Sequence, residues 1–205
     1  MRRKSRSTAV TSDSTCDHRV VNGQKTFISN GLADTAELFF YSVRVPKDNL
    51  VGELNRGFHH LVSNLPNERV GVACYALPAA RRALELTKAY ALERTAFGQP
   101  IGKFQVNRHF LAEMQIKLNA AQTYLDQCVL SVNEGTLADA DAAGMKWWTS
   151  EVQWEILDRC LQLHGGYGYI NEYEVARLWR DSRVQRLYAG TTEIMKDLMG
   201  RAMAY

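Results

Sequence analysis

The sequence predicts a mainly α protein: an up-down, four-helix-bundle-like domain preceded by a small β-sheet remnant. Three observations predict it. Apolar residues recur at helical spacing over three long stretches after residue 57. Glycine, proline and asparagine punctuate the chain between those stretches. Before them, β-prone segments alternate with turn residues. The 205 residues carry 46% hydrophobic and 23% charged side chains, a composition that excludes a chain dominated by disorder. A chain of this length buries roughly two-thirds of its unfolded surface and needs no disulfide or metal staple.

Three segments are expected: a basic, disordered arm at 1–17, a truncated β-domain at 18–52 and the helical bundle at 53–205. In the β-domain, Asn22-Gly23 between short β-prone stretches reads as a two-residue hairpin turn. Thr26–Ser29 then continues the second strand, Asn30-Gly31 turns it, and Thr35–Val45 forms a long strand stopped by Pro46. So small a sheet is not stable alone and must pack or fray.

In the bundle, a short helix near Phe58–Asn64 is cut by Pro66, and a long one runs from about Asn67 to Arg94 with a bend at Pro78. The segment 97–102 is a tight connection. The next helix, about Phe104–Val132, carries Leu111, Leu118 and Leu125, with Met114, Ala121 and Cys128 on an overlapping stripe. A third, about Ala138–Leu163, carries Trp147, Trp154 and Leu161 at the same interval, which suggests a core or subunit-contact stripe. It ends at Gly165-Gly166. Shorter helices follow near Tyr173–Trp179 and from Thr191–Thr192 to Met199.

Charge narrows the function classes. The net charge is +3, yet residues 1–20 hold five basic and two acidic side chains, leaving twenty of each sign elsewhere. A balanced body lacks the basic face that nucleic-acid binding requires. No apolar run approaches the length of a membrane span. The basic start has no apolar core of a secretory signal. Cys16, Cys74, Cys128 and Cys160 are scattered, with no C-x-x-C; reduced thiols and no metal site are expected.

The segments between helices carry more. "ERTAFGQPIGKFQ" at 93–105, "QLHGGYGYINEYEVARLWRD" at 162–181 and "RLYAGTTEI" at 186–194 stand in an order that resembles the acyl-CoA dehydrogenase C-terminal domain. "NLPNERVGVA" at 64–73 is similar to the start of that family's long bundle helix, and "AELFFYSVRVPKDNLVGE" to its entrance strand and loop. The resemblance implies an FAD-dependent oxidation of a fatty acyl-CoA to a trans-2-enoyl-CoA. It also implies a homodimer or homotetramer and reoxidation by an electron-transfer flavoprotein. The location would be cytoplasmic in a bacterium and mitochondrial in a eukaryote.

Residue by residue, many relatives carry the catalytic base as the Glu after the motif tyrosine. Here that residue is Ala189, following Tyr188. Long-chain and isovaleryl-type relatives place the base early on the long helix, which matches Glu68. An apolar acyl pocket would raise such a carboxylate from about 4.3 toward about 6–7, suiting a base near neutrality. The bland alternative is a first-turn carboxylate favoured by the helix dipole. Glu193 is the rival carboxylate, though its position matches a cofactor contact.

Phe27 and Ser29 match flavin-side positions. Arg94, Phe97 and Gln105 match positions reaching the FAD of a neighbouring subunit. Gln162, Gly165 and Gly166 match the adenosine-side loop, and Thr191 and Glu193 contacts at the last helix start. Arg69, Tyr188 and Gly190 match substrate-side positions. Arg180-Asp181 reads as a structural ion pair. The family's N-terminal helical domain, its FAD-pyrophosphate loop and several strands after "FISNG" have no counterpart here. Impaired turnover is therefore expected, with a non-catalytic bundle fragment or assembly subunit as the alternative.

Overall fold

In the computed structural model, residues 9–11, 17–28 and 36–203 are described. The chain divides into two compact units, Met1–His60 and Leu61–Tyr205, each taken by itself below. The division falls eight residues beyond the boundary expected after residue 52.

The first unit is a three-stranded antiparallel sheet of β1 (Ala9–Thr11), β2 (His18–Ile28) and β3 (Ala36–Pro46), in the order β1-β2-β3. Ala9–Thr11 is a strand paired with β2 inside the arm expected to be disordered. The Asn22-Gly23 hairpin is corrected, since β2 runs straight through it. Val21 pairs with Val43 and Gly23 with Phe40, so two residues of β3 face Asn22 alone. That is a β-bulge. Ser42 takes a left-handed φ of 48° there, and its N–H donates to Asn22 Oδ1 at 2.7 Å. Asparagine suits the spot because its short acceptor can satisfy an amide that the ladder leaves unpaired. The expected turn at Asn30-Gly31 lies outside the described residues.

The second unit is the bundle. Following α1 (Gly57–Ser63), α2 (Leu65–Glu93), α3 (Gln105–Asn133), α4 (Asp139–His164), α5 (Glu174–Ser182) and α6 (Thr192–Ala202) follow in order. Pro66 opens α2 in its first turn, where a missing N–H costs nothing. Pro78 lies inside α2 on its exposed side. A hairpin of β4 (Thr95–Ala96) and β5 (Gln99–Pro100) joins α2 to α3. Its two turn residues, Phe97 and Gly98, have φ of 51° and 81°, the left-handed pair that a tight hairpin demands.

Packing direction follows from contacts at each end. Arg69 and Lys146 reach neighbouring carbonyls at one end of α2 and α4, while Tyr90 stacks on His164 at the other, 4.3 Å between ring centres. These helices therefore run parallel. Thr192 bonds Glu151 while Met199 lies against Gly144, so α6 runs antiparallel to α4. The up-down bundle is as expected. Its core interleaves Ala73, Leu77, Ala80 and Leu84 of α2 with Met114, Leu118 and Leu125 of α3 and Met145, Ile156 and Leu157 of α4.

The α3 stripes meet the core as read. The α4 tryptophans lie outside the core, which leaves the subunit-contact reading: Trp147 and Trp154 are only half-buried, and Lys196 and Arg183 lie over their respective rings. Alanine, methionine and small polar residues fill that core face instead, because α2 and α4 approach closely. Arg180 and Asp181 do pair, at 3.3 Å and well exposed, which contributes little to stability. Cys128 and Cys160 are buried free thiols and Cys74 an exposed one. Among the described residues, no helix is long and apolar enough to cross a membrane.

Candidate functional site

The proposed site residues of the bundle fall into two groups, one at each end of α2. At the N-terminal end, Glu68 occupies the first turn of α2. Its side chain is exposed, and Asn64 Nδ2 donates to its Oε1 at 3.4 Å. The apolar enclosure expected for Glu68 is thus not made by the bundle unit. A first-turn side chain at the rim of a bundle projects past the packed layers, so any enclosure must come from elsewhere.

Arg69, one residue on, turns inward and is 7% exposed. Its Nε donates to the Ala189 carbonyl at 3.4 Å. Burial lowers its pKa, while Asp139 and Glu68 work in the opposite direction. The loop it meets, Tyr188–Thr191, holds Ala189 at φ 54° and Gly190 at φ 104°. A Cβ on Gly190 would come within 2.3 Å of Met195 Cε, so a side chain here would need both a strained backbone and a shift of the methionine tip. Tyr188 is partly exposed, and burial pushes its phenol up. Thr191 caps α6, its Oγ1 accepting from the Ile194 N–H at 3.4 Å. Glu193 stands exposed in the first turn of α6, held low by its own backbone N–H and the Thr191 hydroxyl.

Beneath that loop lies a polar cluster absent from the sequence reading. Lys146 of α4 is fully buried, and its Nζ donates to the Gly190 carbonyl at 2.6 Å. Burial, reinforced by Arg69, drops its pKa to about 8. Glu151 Oε1 accepts from Arg186 Nε and Thr192 Oγ1, each at 2.8 Å. The available signal was a lysine set among Ala142, Ala143, Thr149 and Ser150 on the core face of α4. A lone lysine in a helix ordinarily reads as solvent-facing.

The opposite end gathers the other group. Arg94 is the C-cap of α2, with its guanidinium 6.0 Å from the Tyr167 ring centre. With Gln162, Gly165 and Gly166 it lines a cleft of about 500 Å³ that also includes Tyr90 and Tyr167. Gly165 is left-handed at φ 59° and closes α4, its N–H donating to the Gln162 carbonyl. Among the described residues, nothing beyond the adjoining chain lies within 4 Å of where a Cβ would stand on Gly165 or Gly166. Gly168, by contrast, is a packing glycine, its Cβ position 2.5 Å from the Leu161 carbonyl.

Phe97 at the hairpin tip is 96% exposed and meets Phe104 edge-on at 6.3 Å. Gln105 opens α3 and is exposed. Of the flavin-side pair in the first unit, Phe27 lies on β2 with its side chain undescribed, and Ser29 lies outside the described residues.

At about 1.5 Å per residue, Glu68 and Arg94 stand about 39 Å apart along α2. One small ligand cannot touch both. An exposed guanidinium, an amide side chain and two unobstructed glycine backbones are a donor set that fits a nucleotide phosphate. The bundle thus carries an exposed carboxylate at one end of α2 and, at the other, a donor-lined cleft whose chemistry suits a phosphate-bearing ligand.

Comparison with known proteins makes the class specific. Residues 55–204 match the family model described as acyl-CoA dehydrogenase, C-terminal domain. The long-chain specific acyl-CoA dehydrogenase of Sus scrofa mitochondria is 40% identical over 194 residues, covering 91% of this chain and 45% of that protein. A 3-(aryl)acrylate reductase of Clostridium sporogenes is 39% identical over 162 residues, covering 79% and 43%. Among solved structures, an acyl-CoA dehydrogenase from Geobacillus kaustophilus superposes with a TM-score of 0.91 at 33% identity, covering 98% of this chain and 65% of that one. The chain belongs to the acyl-CoA dehydrogenase family. It spans less than half the length of these curated relatives.

Proposed function

We propose that this chain serves flavin-dependent α,β-dehydrogenation of a fatty acyl-CoA, with Glu68 as the base that takes the α-proton. The observation that carries the reading is the place of Glu68. It is an exposed carboxylate beside Arg69, which bonds the very residue, Ala189, where many relatives hold their base. The family's cofactor is FAD. Arg94, Gln162, Gly165 and Gly166 would hold its nucleotide part, with Phe97 and Gln105 beside them. When bound, the flavin supplies the hydride acceptor.

The chain's own work is proton chemistry and positioning. Glu68 Oε accepts the α-proton from its place in the first turn of α2. Tyr188 and Gly190 border the acyl thioester, and Thr191 fixes the loop to α6. Resemblance to the mitochondrial long-chain enzyme favours a long acyl chain. An electron-transfer flavoprotein is the proposed electron acceptor and a homodimer or homotetramer the proposed assembly. Turnover is impaired by the shortened β-domain.

Glu68→Gln tests the reading through α-proton exchange of an acyl-CoA in deuterated water, with FAD added. The expected loss is about 10²-fold or more. An exchange rate equal to wild type would remove Glu68 as the base. A folded wild-type chain that retains no flavin after gel filtration would instead identify a non-catalytic bundle subunit.

A further inference from the structure

The buried lysine of α4 has no part in the proposed proton transfer, yet its place is demanding. Lys146 has no exposed surface, and its ammonium is directed at a single backbone carbonyl, that of Gly190, at 2.6 Å. The preceding carbonyl, Ala189, accepts from Arg69 Nε. Two successive carbonyls are therefore held from beneath by two buried cations on two different helices, α2 and α4. Both peptides lie in the left-handed stretch of the loop, a conformation that persists only where surroundings over-determine it.

We propose that Lys146 is a positioning residue that, with Arg69, clamps the Tyr188–Thr191 loop in its left-handed form. The inference rests on the reading of that loop as substrate-side. In a planar trans peptide the N–H points opposite its C=O. Drawing the Ala189 and Gly190 carbonyls down onto the cations turns the Gly190 and Thr191 N–H groups the other way. The clamp thus decides which face the loop presents beside Tyr188. It also ties the loop to the start of α2, where Glu68 stands.

The clamp is charge-dependent. Besides Arg69 on α2, the groups acting on Lys146 are Glu151 on its own helix, Arg186 in the turn after α5, and Glu193 on α6. Arg69 and Arg186 oppose its charge and the two glutamates favour it. Burial dominates, bringing its deprotonation to about 8, within reach of mildly alkaline solution. Deprotonation leaves an amine that donates more weakly than the ammonium.

The carbonyl ¹³C shift of Gly190 reports that hydrogen bond directly, and carbon-detected NMR reads it without the amide proton. With the uniformly labelled chain, the Gly190 carbonyl and the Lys146 ¹³Cε should titrate together, with one shared midpoint near 8. In Lys146→Met the Gly190 carbonyl should be displaced and flat across the same range. A Gly190 carbonyl that stays still while Lys146 titrates would overturn the clamp. So would a Gly190 carbonyl in Lys146→Met that keeps its wild-type shift and titration. The wild-type titration decides the matter even if the variant does not fold. Neither flavin nor acyl-CoA is present, so failure of the Glu68 assignment would leave this result unchanged.

Discussion

Lys146 puts an ionisable group where the fold pays for its charge. Its pKa lies near 8 in the folded chain and near 10.4 in an unfolded one. Between those values this site binds more protons in the unfolded chain, so the lysine's own contribution to stability rises with pH across that window, while the buried Cys160 thiol, raised to about 11, contributes in the opposite sense. Urea unfolding at pH 8 and pH 10 should show the wild type gaining on Lys146→Met as pH increases. Tyr124, whose phenol burial raises to about 12, acts in the opposite sense only above its ordinary value near 10. Gly190 gives a second residue-scale test. Gly190→Ala must accept φ 104° and displace Met195, at an expected cost of about 1–3 kcal/mol in urea unfolding. The glycine was legible through its motif. Lys146 was not, because residue type alone argues for the surface and only the tertiary neighbours put it inside.

At the scale of elements, the sequence pattern located every long helix to within a residue or two, since 3.6-residue periodicity is a strong signal over seven or eight turns. What it mistook were features decided by a neighbouring element. Asn22-Gly23 has a hairpin's residues, but β3 pairs on both sides of it, and the asparagine instead serves the bulge at Ser42. The α4 tryptophans recur at bundle spacing, yet close contact with α2 selects the small residues for the inside, so of the core and subunit-contact readings only the second is left. Asn22→Ala should loosen the bulge and cost about 1 kcal/mol, seen as faster amide exchange at Ser42 with the bundle amides unaffected. Glu68 is a related case: its helix position was legible, while its exposure at the rim of the bundle was not.

For the whole molecule, the separation between Glu68 and Arg94 matters most. If each end of the bundle serves a different cofactor, every complete site draws on two chains. Chains carrying Glu68→Gln and chains carrying Arg94→Ala should each be inactive alone. After mixing and reassembly, random pairing in a symmetric dimer would restore about a quarter of the sites to full composition. Dehydrogenation by the mixture, measured with added FAD, checks this; no recovery would mean that a site does not take these two residues from different chains. The bundle, its two motif-bearing ends and the length of helix between them were readable from the chain, whereas the tertiary partners at each end became visible only once α2 and α4 were seen to run parallel.

That parallel pair makes α2 a ruler. A single inserted residue would lengthen it by about 1.5 Å and rotate everything beyond by about 100°. Arg94 would swing off the face it shares with Gln162, and the Tyr90–His164 stack would open unless α4 changed by the same step. Lengthening therefore has to happen in both helices at once and in whole turns. The sequence of α2 can drift wherever side chains face outward, but its length is fixed by what stands at its two ends.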